Sequence, residues 1–109
     1  VTKTVTRTTT TGTTVPSAFT KAGEVLSLKG GRVDGSLNIL LSTAGVDAGG
    51  IIATLPVGYR PPTSYNAVCT LINDARNSDY VTIGTNGNIT TNFAKLQGTY
   101  IIFNLNHCA

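Results

Sequence analysis

Methionine and tryptophan are absent from this 109-residue sequence, cysteine occurs twice and histidine once. Charge is scarce as well: Lys, Arg, Asp and Glu together make up 12% of the chain, well under the roughly 25% of an ordinary soluble domain. With no Met anywhere, Val1 reads as the start of a piece of a longer protein. Cys69 and Cys108 are too few for the disulfide framework of a small secreted fold, so reduced thiols are expected. Together with His107 they offer three zinc ligands at most and no Cys-x-x-Cys spacing, so neither a metal site nor a cofactor is expected. No apolar run approaches the roughly 20 residues that span a bilayer, and no membrane insertion is expected. The net charge of +3 is small and uneven. Lys3, Arg7, Lys21, Lys29 and Arg32 face only Glu24, whereas Arg60, Arg76 and Lys95 are outnumbered by Asp34, Asp47, Asp74 and Asp79. No two basic residues are adjacent, which argues against a phosphate-tracking nucleic-acid surface.

What remains is a chain that is polar without being charged. Hydrophobic residues still make up 40% of it, enough for one packed core, and the length suits one domain. A Thr-rich strand and connector are expected over residues 1–18 and the domain proper over residues 19–109. In residues 1–7, Val1, Lys3, Val5 and Arg7 alternate with Thr2, Thr4 and Thr6, the period of a strand. It is expected either as an edge strand or as an arm on a neighbouring chain. The threonine run of residues 8–14 reads as a connector. Further strands are predicted over residues 24–29, 36–42, 51–55, 66–72, 80–83, 88–91 and 99–106. Lys21, Ala22 and Gly23 read as a turn, and Asp34 with Gly35 as a break.

Asn86 and Gly87 mark a hairpin. A three-residue loop of Thr85, Asn86 and a left-handed Gly87 pairs Ile83 with Ile89 and Val81 with Thr91, which keeps one face apolar; a two-residue loop does not. No window holds a 3.6-residue period over ten residues. The expected fold class is all-β, an antiparallel sandwich or barrel of about seven to eight short strands. Leu40 and Ile102 make the second faces of their strands apolar too, which implies a central position or cover by another subunit.

Groups that could do chemistry are few. His107 and Cys108 adjoin at the chain end, where neighbours on a strand point to opposite faces and fraying is expected. Cys69, among small and apolar residues, reads as core. Asp74 and Asp79 form the one close carboxylate pair, but in a polar loop they read as solvated charges rather than the acid and base of a glycoside hydrolase. The doublets Gly30-Gly31 and Gly49-Gly50 lack the Lys and Ser or Thr of a phosphate loop. A binding surface is the better reading. Asp74, Arg76, Asn77, Asp79 and Tyr80 gather donors, acceptors and one ring in a single stretch, the chemistry a sugar needs. Tyr59 and Arg60, ahead of two prolines, are a second candidate, as a rim or as a buried corner.

Certain runs together resemble a known family. They are Phe19 with Thr20-Lys21-Ala22-Gly23-Glu24-Val25-Leu26; Leu55-Pro56-Val57-Gly58-Tyr59-Arg60-Pro61; Val81-Thr82-Ile83 before Asn86-Gly87; and Tyr100-Ile101-Ile102-Phe103. In this order they resemble the C-terminal head domain of bacteriophage tail-fibre and baseplate receptor-binding proteins, and the resemblance covers nearly the whole chain from Phe19. It implies a homotrimeric β head at a fibre tip, joined to other virion tail or baseplate proteins through a preceding part. Such a head sits on the virion, is assembled in the bacterial cytoplasm, and attaches to a bacterial cell-surface polysaccharide without cutting it, so no enzymatic activity is expected. Several heads of the family use a Trp as sugar platform; here Tyr80, Tyr65 or Tyr59 would have to stand in, and the Gly58-Tyr59-Arg60-Pro61 corner is expected to hold the fold. Two other readings compete: a structural fibre or baseplate module, and a small polysaccharide hydrolase.

Overall fold

The computed structural model describes residues 12–109 and the backbone of residues 4–7. Among the described residues eight strands are formed: β1 (Thr4–Arg7), β2 (Thr20–Lys29), β3 (Arg32–Leu40), β4 (Ile51–Thr54), β5 (Tyr65–Ile72), β6 (Ser78–Ile83), β7 (Asn88–Thr91) and β8 (Tyr100–Cys108). All pair antiparallel in one sheet of order β1-β2-β3-β8-β5-β6-β7-β4. No helix occurs among the described residues, and the all-β antiparallel class expected from the sequence is what the chain adopts. Thr14, on the path into β2, exchanges two backbone hydrogen bonds with Thr54 of β4 at 2.9 and 2.8 Å. Since β4 closes the far end of the strand order, this bridge draws the two ends of the sheet together and the sheet curls around its own core.

Strand alternation decides what the curl encloses. β8 turns Ile101, Phe103 and Leu105 inward and Tyr100, Ile102, Asn104 and Asn106 outward, the division its sequence pattern predicts. Inward residues of the neighbouring strands meet them: Leu26, Val33, Leu37, Ile39, Ile52, Cys69, Leu71, Val81, Ile83 and Ile89 are all buried. Cys69 is thus a core residue, as expected, and burial pushes its thiol pKa up. The β6–β7 hairpin takes the predicted register, Val81 opposite Thr91 and Ile83 opposite Ile89, with Gly87 at φ 88°. Gly87 N–H bonds to Gly84 O, and Gly84 N–H to Asn88 O, each at 2.9 Å, which closes the three-residue loop.

Four expectations are corrected. The turn expected at Lys21, Ala22 and Gly23 is a bulge inside β2, which begins at Thr20. Gly35 is no break: β3 runs through it opposite Leu26, and a Cβ there would overlap the Val25 carbonyl oxygen. His107 is not frayed but buried within β8. Asp79 belongs to β6 rather than to an exposed loop. The N-terminal strand is an edge strand, pairing Thr4 to Arg7 with Lys29 to Leu26; residues 1–3, and residues 8–11 of the expected connector, lie outside the described residues.

Candidate functional site

The loop between β5 and β6 turns on two asparagines in the left-handed region, Asn73 at φ 67° and Asn77 at φ 65°, a conformation that Asn tolerates better than most residues. Between them Asp74 caps the turn: its Oδ1 accepts the Arg76 backbone N–H at 2.8 Å. The Asp74 side chain is only 10% exposed, whereas that of Arg76 is 48% exposed. The Arg76 guanidinium lies 4.0 Å from Asp74 Oδ1 and rests over the Phe93 ring, 4.7 Å from its centroid.

Phe93 comes from the segment between β7 and β8, is 47% exposed, and is fixed by its backbone. Its N–H donates to Asp79 Oδ2 at 3.1 Å, and its carbonyl accepts from Lys95 Nζ at 2.8 Å. Asp79 and Lys95 form an ion pair at 2.7 Å with side chains 2% and 0% exposed. Lys95 Nζ also donates to Thr91 Oγ1 at 2.5 Å, so each of its three protons has an acceptor. Asn92 Nδ2 donates to Asp79 Oδ1 at 3.2 Å. Burial opposes the Asp79 charge, but the Lys95 ammonium, the Tyr80 and Phe93 backbone N–H groups and the Asn92 amide outweigh it and hold the carboxyl below its usual range. That direction is opposite to what a general acid requires.

The expected five-residue surface is therefore divided. Asp74 and Arg76 stay together, Arg76 meets Phe93, and Asn77 is exposed beside them in the same loop. Asp79 turns inward and is removed from solvent by the strand period of β6. Tyr80 turns outward on the opposite face of the sheet, cross-strand from Val68. Tyr59 is buried in the core and so leaves the list of rings that could meet a ligand. Arg60 is half-buried; its Nε donates to Leu55 O at 3.1 Å and packs against Gly87, tying the proline corner to the hairpin. The Tyr65 hydroxyl contacts His107 Nδ1 at 2.6 Å, and His107 Nε2 contacts the Tyr59 carbonyl at 2.7 Å, so this ring too belongs to an internal network.

Phe93 and Lys95 were missed in the sequence because the segment after β7 has no strand or loop signature of its own. One signal was there. Extrapolated two residues beyond the paired Val81 and Thr91, the predicted hairpin register brings Phe93 level with Asp79, whose carboxylate its N–H meets. Among the described residues no three His, Cys, Asp or Glu side chains come together as a metal cluster would require, and the site is an open surface rather than a cavity. No family model matches the chain, and no curated protein or solved structure matches it.

Proposed function

We propose that this chain is a host-recognition head of a bacteriophage tail fibre or baseplate, homotrimeric, that holds a bacterial surface saccharide without cutting it. The observation that carries the reading is the Phe93 ring: half exposed, clamped through its backbone by a buried ion pair, and flanked by the polar Asp74 to Asn77 turn. A sugar is recognised by an apolar ring face together with directional polar groups at its edge, and this surface offers both. A shallow open site gains little net energy per copy, so attachment would rest on several copies acting together.

The outer face of the sheet supports self-association. Its rows Leu40–Tyr100–Ile72 and Asn38–Ile102–Thr70, with the pair Val68–Tyr80, mix aliphatic, aromatic and amide side chains and carry no charge. Around a symmetry axis each side chain meets its own copy, so charge there would repel itself. The same face favours a second reading, a structural module that joins other virion proteins.

The test is binding of the purified protein to intact bacteria and to isolated envelope glycans of several species, with its mass in solution recorded alongside. Saturable binding, competed by one polysaccharide, by a particle of about three times 11.3 kDa is the expected result. A stable oligomer that binds neither cells nor glycans would overturn the recognition reading in favour of the structural one.

A further inference from the structure

The charged groups around Phe93 differ in how far solvent reaches them. Asp79 and Lys95 neutralise each other out of solvent, and the Asp74 carboxylate is 10% exposed and already accepts the Arg76 N–H. The Arg76 guanidinium, by contrast, is substantially exposed. Its approach to Asp74 Oδ1, at 4.0 Å, is an ion-pair distance beyond hydrogen-bonding range. The N–H donors of the guanidinium thus have no hydrogen-bond partner among the described residues, while the ring beneath and the carboxylate beside it hold the group in place. Several neighbouring acceptors are already engaged: Phe93 O by Lys95 and Thr91, both Asp79 oxygens by Lys95, Phe93 and Asn92, and Gly98 O by the Asn73 amide. The exposed guanidinium thus stands over the ring with its donors uncommitted.

We infer that the saccharide held at Phe93 is anionic, with a carboxylate or phosphate group taken by the Arg76 guanidinium while the apolar face of the sugar packs on the ring. This rests on the saccharide-binding reading above. A planar fork of donors pre-positioned on a ring matches the paired oxygens of a carboxylate or phosphate, which bond to it more strongly than the hydroxyls of a neutral sugar. The charge–charge contribution lies at an open surface and should weaken as salt rises.

The experiment compares four polymers by calorimetric titration of the purified protein: polygalacturonate, the same polymer after carboxyl reduction, a phosphodiester-linked glycan, and that glycan after dephosphorylation. An anionic member should bind about tenfold or more tighter than its neutralised counterpart, with the advantage shrinking as salt rises. The two pairs separate the carboxylate from the phosphate source. Arg76→Gln should lose that advantage with an unchanged unfolding midpoint, and Arg76→Lys should keep part of it, since a point charge replaces the fork. Phe93→Ala should weaken binding of the charged and the neutralised polymer alike. Equal binding of charged and neutralised polymers overturns the anionic inference and leaves saccharide recognition standing. Absence of binding to all four polymers and to intact cells overturns both.

Discussion

Asp79 and Lys95 share a setting in which either charge alone would be strongly destabilising, because a buried ion without its partner keeps its desolvation cost and loses the attraction that offsets it. Asp79→Asn should therefore destabilise the fold by about 3–5 kcal/mol, read as a drop in the denaturant midpoint. The same residue fixes a pH dependence. The carboxyls of Asp79 and of Glu24, the latter held by Thr13 and Lys21 against the cost of its burial, both lie below their ordinary values of 3.8 and 4.5. Their contribution is complete above those values and is lost as pH falls, because the unfolded chain then takes up protons that the folded chain does not. Stability should be level from neutrality to about pH 5 and decline below it, and the decline should be shallower in Asp79→Asn. A loss under about 1 kcal/mol in that variant would mean that water reaches the pair. None of this was legible from the composition of residues 73–79. A run of Asn, Asp, Ser and Arg reads as solvent-facing, and only its place on β6 turns one aspartate inward.

At the scale of elements, the proline corner and the hairpin act as one unit. Leu55 N–H donates to Gly87 O at 2.8 Å, Arg60 Nε to Leu55 O at 3.1 Å, and Tyr59 N–H to Pro56 O at 3.1 Å. A Cβ on Gly87 would lie 2.6 Å from Arg60 Nε and 2.7 Å from Leu55 O, at a φ of 88° that side chains rarely adopt. Gly49 has a similar φ of 78° but open space around it. Gly87→Ala should accordingly cost about 1–3 kcal/mol more than Gly49→Ala, since backbone strain is common to both and crowding is confined to the first. Equal losses in thermal or denaturant unfolding would mean that the corner moves aside without cost. The hairpin could be read in advance because its turn residues and its apolar alternation lie within a dozen positions of each other. Gly35 could not, because the reason for that glycine is the close passage of Val25 from the neighbouring strand. The same holds for Phe93: its ring looked unremarkable until Asp79 and Lys95 were seen to fix the backbone on either side of it.

Over the whole molecule, the last strand sits in the middle of the sheet. β8 pairs β3 along nine residues and β5 along four, so it joins the β1-β2-β3 run to the β5-β6-β7-β4 run in the strand order. Alternation in β8 showed which residues face inward, but strand order depends on pairings tens of residues apart and left no local trace. Central placement accounts for the apolar Leu40 and Ile102 only in part. It leaves their outer face open beside Ile72 and Tyr80, with Val68 77% exposed in the described chain. If the chain associates through this face, as the proposed trimer requires, a charge at Val68 should separate the copies without touching the core, since its neighbours on the strand, Ala67 and Cys69, are the residues that turn inward. Val68→Lys is expected to keep the unfolding cooperativity of the monomer while the particle falls from about three times 11.3 kDa to a single copy, because an unpaired ammonium resists burial in an apolar contact. A trimer that persists in this variant would place the threefold contact on another surface. A wild-type chain that is already monomeric would leave the outer face free for a different partner protein, which is the arrangement the structural reading requires.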